Sequence, residues 1–262
     1  MGAVREIMLN IMLSGCCGSM GRAVTAFAYI RDDIKITAGI DREGRECKFP
    51  TFVSPFSFSG KVDVIIDFSS PAALPGLLEY AVSAKTPAVI ATTGLSEAHI
   101  ALIYKAAKEI PIFFSANMSL GINLLCELAK TAARVLGGTY DIEIVETHHA
   151  QKTDAPSGTA LMLADAISSE LERKPYYEYD RHLRRTKRPH DEIGIHSIRG
   201  GTAVGEHEII FAGYNETIKL SHCAQSKELF AAGAVNAAKF IQNKEPGLYG
   251  MSDMIGRKDA KK

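Results

Sequence analysis

Between Glu146 and Ala160 the chain reads Glu-Thr-His-His-Ala-Gln-Lys-Thr-Asp-Ala-Pro-Ser-Gly-Thr-Ala, which places two imidazoles, an ammonium and a helix start in one short segment. An amphipathic strand delivers His148 and His149 into a loop that holds Lys152. If all three were charged they would repel one another, which lowers histidine pKa values and favours proton exchange near neutrality. Ser157, Gly158 and Thr159 fall where a helix leaves its N–H groups unpaired, and with Lys152 they make a receptor for a carboxylate. Pro156 stiffens the loop and Gly158 permits close approach. The plainer reading is a hydrogen-bonded structural histidine pair with Asp154 or Ser157 capping the helix. No metal is expected: adjacent strand residues point to opposite faces, no cysteine is close in sequence, and His207-Glu208-Ile209-Ile210-Phe211 lacks the second histidine of H-E-x-x-H. No G-x-S-x-G elbow and no Walker loop occur.

A second constellation opens the chain. Gly15-Cys16-Cys17-Gly18-Ser19-Met20-Gly21-Arg22 follows an apolar strand and repeats glycine every third residue. A tight turn with close backbone approach to a pyrophosphate asks for missing side chains, and the helix that follows favours an anion. The pattern departs from G-x-G-x-x-G because Cys17 stands inside the first triplet, and a helix packed closely on a strand without ligand explains the glycines equally well. Asp41 adds weight, because it ends the second strand about 20 residues beyond the glycines, where an acidic residue binds the adenosine ribose. Arg42 can receive a ribose 2′-phosphate or be an exposed turn charge. Ala91-Thr92-Thr93-Gly94 and Ser115-Ala116-Asn117-Met118 each close a strand, on the edge where open α/β sheets bind ligands.

The elements that must carry these groups alternate in the first half. Strands are expected over 8–13, 34–40, 62–68, 87–93 and 112–115, with helices over 21–29 and 96–109 and another opening at Pro71. Such alternation predicts an α/β fold with a doubly wound parallel sheet covered on both faces. After Asn117 a long helix over 120–136 ends at Gly137-Gly138, and strands over 140–148, 193–199, 205–212 and 216–223 surround one helix over 159–171. This predicts an inserted α+β domain with an open mixed sheet, before a last helix over 229–242 and a charged end, Arg257 to Lys262, expected to fray. The expected division is a dinucleotide-binding domain of 1–119 completed by 230–262, and a substrate-binding and oligomerisation domain of 120–229.

Composition narrows the classes. The 262 residues carry 30 Lys plus Arg against 30 Asp plus Glu, with 46% hydrophobic and 23% charged residues, which is ordinary globular composition and enough chain for a proper core. Neutrality argues against a nucleic-acid partner, and Arg181-His182-Leu183-Arg184-Arg185-Thr186-Lys187-Arg188-Pro189-His190, flanked by Asp180, Asp191 and Glu192, reads as a solvated loop. The five cysteines, Cys16, Cys17, Cys47, Cys126 and Cys223, contain no C-x-x-C pair and no zinc-ligand spacing and read as reduced thiols. Met1 to Asn10 are not expected to act as a secretory leader, and no apolar run approaches the ~18 residues that span a bilayer. A soluble cytoplasmic protein without membrane contact is expected.

Taken together, these motifs resemble the 4-hydroxy-tetrahydrodipicolinate reductase (dihydrodipicolinate reductase) family. The resemblance covers nearly the whole chain, from Gly15-x-x-Gly18-x-Met20-Gly21-Arg22 through Ile66-Asp67-Phe68, Thr92-Thr93-Gly94, Ala116-Asn117 with Ser119 and Glu146-Thr-His148-His149-x-x-Lys152-x-Asp154-Ala-Pro-Ser-Gly-Thr-Ala160 to Arg199-Gly-Gly and Val204-Gly-Glu-His207. It implies a Rossmann-like first domain and NAD(P)H-dependent reduction of (2S,4S)-4-hydroxy-2,3,4,5-tetrahydrodipicolinate, a cyclic imine dicarboxylate, in lysine biosynthesis through diaminopimelate. It implies that His148 is the general acid, that Lys152 assists proton transfer, and that His149, Gly158 and Thr159 bind the dicarboxylate. It implies further that Gly15 to Met20, Asp41, Arg42, Ala91 to Thr93 and Ser115 to Met118 line NADH or NADPH, and that four copies assemble as a homotetramer. The chain departs from common family usage at Ser19, Ala91, Ala150-Gln151 and Lys227, which bears on affinity and on the choice between NADH and NADPH. The alternatives are another nicotinamide-dependent amino-acid or semialdehyde dehydrogenase, or a non-enzymatic NADH-sensing regulator that uses the basic loop on DNA.

Overall fold

The computed structural model describes residues 8–43, 47–182 and 184–255. The charged end from Arg257, the segment before Met8 and Leu183 of the basic loop lie outside the described residues. In chain order the elements are β1 (Leu9–Ser14), α1 (Ser19–Tyr29), β2 (Ile34–Ile40), β3 (Thr51–Phe52), β4 (Val64–Asp67), α2 (Leu74–Ser83), β5 (Ala88–Ile90), α3 (Glu97–Ala106), β6 (Pro111–Phe114), α4 (Leu120–Leu136), β7 (Asp141–His148), α5 (Gly158–Ser168), β8 (Tyr176–Glu178), β9 (Glu192–Arg199), β10 (Gly205–Gly213), β11 (Glu216–Ala224), α6 (Glu228–Ile241), β12 (Gly247–Tyr249) and α7 (Met251–Ile255). The chain divides into two compact units, Met1–Ser119 with Lys227–Lys262, and Leu120–Ser226.

The first unit holds a parallel sheet in the order β12-β6-β5-β4-β1-β2-β3. Its strands are apolar at nearly every position because both faces are covered, and successive residues feed opposite cores. Ile11, Leu13, Val64, Ile66, Val89 and Phe113 face one cluster with residues of α1 and α6, whereas Met12, Ile65, Ala88, Ile90 and Ile112 face the other with α2 and α3. Helix α6 comes very close to the chain after β6: a Cβ built on Gly233 would lie 1.8 Å from the Met118 carbonyl oxygen. Expected strand ends shrink where the ladder stops. Pro87 to Thr93 yields only Ala88–Ile90, and Val62 to Phe68 yields Val64–Asp67. The short strands β3, β8 and β12 were not expected, because two or three residues carry too little periodicity to register.

Helix α1 starts two residues earlier than its apolar pattern, at Ser19, with Gly18 as N-cap. Gly15 has φ +75°, and a Cβ there would lie 2.6 Å from the Phe68 carbonyl oxygen; one on Gly21 would lie 2.2 Å from the Gly15 carbonyl oxygen. These two glycines therefore hold β1, α1 and the end of β4 at backbone contact. Gly21→Ala is expected to lower stability by about 1–3 kcal/mol, the usual cost of overpacking, and urea unfolding against the wild type checks it.

In the second unit the sheet runs β11-β10-β7-β9-β8, with β10 antiparallel to both neighbours and β8, β9 and β7 parallel, so it is mixed. Helices α4 and α5 cover one face: Ile122, Leu125, Cys126, Ala129 and Ala133 pack with Leu163 and Ile167 onto Ile142, Ile144, Ile193, Ile195, Ile209 and Phe211. A doubly wound parallel α/β sheet and an inserted α+β unit with an open mixed sheet are the expected fold class. Among the described residues no helix is long and apolar enough to cross a membrane.

Candidate functional site

The strict alternation along β7 puts Ile142, Ile144, Glu146 and His148 on the helix-covered face. The first two enter the core; the last two replace apolar side chains by a carboxylate and an imidazole that are both buried. A buried carboxylate needs partners, and Glu146 has a full set. Arg199 on the neighbouring β9 donates Nη1 to Oε2 at 2.7 Å and Nη2 to Oε1 at 2.6 Å, and the Ser157 N–H donates to Oε1 at 3.0 Å. His148 Nδ1 lies 2.6 Å from Oε2. Burial pushes the Glu146 pKa up, but the Arg199 guanidinium and the other donors outweigh it and hold the group at about 2. Glu146 is therefore an acceptor only, so His148 donates through Nδ1 and Nε2 is the nitrogen free to exchange a proton.

His207 closes the group from β10, opposite Glu146 in register. Its Nε2 is 3.0 Å from Ser157 Oγ, and its ring meets that of His148 edge to face at 5.2 Å between centroids. Burial, reinforced by the nearby His148, lowers its pKa to about 4, so it stands neutral at physiological pH. Gly205 lies against the His148 ring: a Cβ there would come within 3.0 Å of Nε2.

The loop after β7 carries the other expected residues. The His149 backbone N–H donates to the Ala203 carbonyl at 2.8 Å, and its side chain is half-buried. Lys152 Nζ donates to both Asp154 carboxylate oxygens at 2.8 and 2.9 Å. Ser157, rather than Asp154, is the N-cap of α5 and accepts from the Ala160 N–H at 3.1 Å. Gly158 and Thr159 begin that helix, Gly158 exposed, with nothing within 4 Å of a Cβ built on it. Packing therefore does not require glycine there, and the space before the first turn of α5 is open.

In the first unit a cleft of about 460 Å³ at the carboxyl end of the sheet brings together Gly15, Gly18, Asp41 and Arg42 with Ser69 and Ser70. The N-terminus of α1 has no side-chain cap and no acidic residue in its first turn, and Lys227 Nζ stands 3.4 Å from Ser19 Oγ. A helix end with unpaired N–H groups and a nearby ammonium fits a phosphate. Asp41 accepts from the Cys17 N–H at 3.1 Å through Oδ2 and from the Glu43 N–H through Oδ1, while Arg42 is exposed. The cleft does not include every expected residue. Cys16 and Met118 turn their side chains into the core, and Ala91 and Thr92 are buried, Thr92 Oγ1 donating to Asp67 Oδ2 at 2.7 Å. Thr93 and Ala116 are exposed, and Ser115 and Asn117 organise their own turn, Ser115 Oγ donating to the Asn117 carbonyl.

Two further expectations meet the tertiary structure here. Cys16, Cys17 and Cys47 show no ligand spacing in the chain, yet their sulfurs all lie within 4.8 Å of one another, a proximity that spacing along the chain does not reveal. The basic loop is not simply solvated: Arg181 pairs with Glu192, Arg184 with Glu178, and Arg188 with Asp141 and Glu143.

Residues 9–118 match the family model for dihydrodipicolinate reductase, N-terminus, and residues 121–255 that for dihydrodipicolinate reductase, C-terminus. The 4-hydroxy-tetrahydrodipicolinate reductase of Caldanaerobacter subterraneus subsp. tengcongensis is 50% identical over 95% of this chain and 99% of its own, and that of Clostridium botulinum is 48% identical over the same shares. Among solved structures, a dipicolinate-bound dihydrodipicolinate reductase from Paenisporosarcina sp. TG-14 superposes with a TM-score of 0.79 at 22% identity, over 95% of this chain and 100% of that one.

Proposed function

Because this chain belongs to the dihydrodipicolinate reductase family, we infer that it reduces (2S,4S)-4-hydroxy-2,3,4,5-tetrahydrodipicolinate to 2,3,4,5-tetrahydrodipicolinate and water with a nicotinamide cofactor, in lysine biosynthesis through diaminopimelate. The observation that carries the site assignment is His148, fixed at Nδ1 by a buried carboxylate, beside an open helix start with an ammonium in the preceding loop. The nicotinamide supplies the hydride. Gly15, Cys17, Gly18, Ser19 and Met20 hold the pyrophosphate at α1, with Cys16 contributing backbone only. Ala91 to Thr93 and Ser115 to Met118 complete the wall of that site at the strand ends.

His148 protonates the ring carbon next to the point of reduction, from Nε2. Lys152 exchanges Asp154, an exposed pair worth at most ~1 kcal/mol, for a substrate carboxylate and stabilises the electron-rich intermediate. His149, Gly158 and Thr159 take the carboxylates, the helix N–H groups donating. Gly158→Ala is expected to leave thermal stability unchanged or slightly higher, since the added methyl meets open space, but to raise KM for the imine about 10-fold or more by filling the receptor. Steady-state kinetics with a melting curve separates the two effects.

Both NADH and NADPH serve in this reading, with Asp41 accepting from the ribose and Arg42 facing a 2′-phosphate. Arg42→Ala should lower kcat/KM for NADPH by roughly 10-fold or more, the scale of one charged hydrogen bond, and leave NADH nearly unaffected. The second sheet, on the face away from its helices, presents Val145, Thr147, Ile198 and Ile210, and this is the surface proposed for a homotetramer; light scattering on the eluted protein checks the mass. The decisive assay mixes protein and NADH with freshly made condensation product of pyruvate and aspartate semialdehyde. Loss of reduced-nicotinamide absorbance only when that product is present supports the assignment, and no loss with either NADH or NADPH overturns it.

A further inference from the structure

Cys16 and Cys17 belong to the proposed pyrophosphate loop, but the reductase reading gives no use to their thiols or to that of Cys47. Cys17 Sγ lies 3.8 Å from Cys16 Sγ and 3.8 Å from Cys47 Sγ, and the three sulfurs come from two chain segments, the turn between β1 and α1 and the connection from β2 to β3. Among the described residues no other set of three or more His, Cys, Asp and Glu side chains converges in this way.

The spacing has a chemical meaning. Thiolates bound to one tetrahedral ion at about 2.3 Å stand about 3.8 Å apart, and around a trigonal ion about 4.0 Å apart. The positions are built rather than accidental. Cys16 is fully buried, and Gly39 on β2 is what admits it, because a Cβ there would lie 2.7 Å from Cys16 Sγ. The Cys17 N–H is held by Asp41. A cavity of about 410 Å³, lined by all three cysteines together with Arg22, Tyr29 and Lys48, opens onto the sulfurs and gives an ion a way in. The two cations on its wall offset the negative charge of a three-thiolate complex.

We propose that Cys16, Cys17 and Cys47 form a binding site for one thiophilic d10 metal ion, of the Zn(II), Cd(II) or Cu(I) class, which ties the β1–α1 turn to the segment after β2. Each thiol that binds releases its proton to solvent, and no electron is transferred. A disulfide accounts for the cluster less well: it would join two sulfurs and leave the third, equally close, unused. Burial, followed by the neighbouring thiols, pushes Cys16 above the ordinary thiol range, so without an ion Cys16 rests as a thiol rather than a reactive thiolate. The proposal does not rest on the reductase assignment.

Reduced, metal-free full-length protein titrated anaerobically with Cd(II) tests it. Thiolate-to-cadmium charge-transfer absorption should rise to an end point at one ion per chain. Pulse alkylation read by mass spectrometry should show Cys17 and Cys47 protected by the metal and exposed Cys223 unprotected. Cys47→Ser should weaken binding at least ~100-fold, the upper end of what losing a mere supporting contact costs, while Cys126→Ser and Cys223→Ser bind as the wild type does. The alkylation pattern stands on the wild type alone should Cys47→Ser fold poorly. Absence of the band, its survival in a folded Cys47→Ser protein, or protection confined to Cys223 overturns the proposal. So does a Cys17–Cys47 disulfide in protein purified without reductant that binds no metal once reduced.

Discussion

His148→Gln is expected to turn over ~10²- to 10⁴-fold more slowly than the wild type, the usual contribution of a positioned general acid, with NADH affinity nearly unchanged. Glutamine can still meet Glu146 but has no proton to give at the position of Nε2. Lys152→Ala is expected to fall in the same range, with an additional rise in KM for the imine because the carboxylate loses its ammonium partner. Turnover measured at saturating substrate, alongside NADH binding followed by fluorescence, separates the chemistry from cofactor capture. Wild-type-like kcat in either variant would remove that residue from the mechanism.

Glu146→Gln carries the second large effect, on stability. The change leaves the Arg199 guanidinium, its side chain only 19% exposed, without its counter-charge, and breaking a buried pair from one side costs about 3–5 kcal/mol. Replacing both partners, Glu146→Gln with Arg199→Met, should recover part of that loss, and urea unfolding of the single and double variants measures it. Acidification should act on the same cluster in two stages. His207, lowered from 6.5 to about 4, is neutral in the folded chain, so the unfolded chain binds more protons below pH 6.5 and stability falls from there to about pH 4. Glu146, lowered from 4.5 to about 2, contributes fully above pH 4.5, and its contribution is lost as the pH falls towards 2. A His207→Gln variant should lack the first stage; an unaltered profile between pH 6.5 and 4 would assign that loss elsewhere.

The residues that bear chemistry in the proposed mechanism were legible because they sit in a contiguous run, Glu146 to Ala160, where residue type and spacing express the loop directly. Their supports were not. Arg199 and His207 are distant in sequence from Glu146, and only the pairing of β9 and β10 with β7 brings them to it. A signal existed: Glu146 and His148 interrupt the buried face of an otherwise apolar strand, and a buried carboxylate requires a cation from a neighbouring strand. The same limit explains the thiols. Cys16 and Cys17 lie 30 residues or so from Cys47, and spacing rules written for local metal knuckles do not see a cluster closed by parallel pairing of β1 with β2.

The amino-acid order determined what is local. Alternating apolar strands and helices define a two-sided parallel sheet, because period and turn chemistry act over a few residues, and the glycines at 15 and 21 mark where backbones must touch. Tertiary structure decided what depends on register between strands far apart in the chain: which nitrogen of His148 is held, which arginine neutralises Glu146, and that three scattered cysteines share one place. Burial and hydrogen bonding, which set charge state and hold side chains in position, are properties of that assembled packing and are absent from the linear chain.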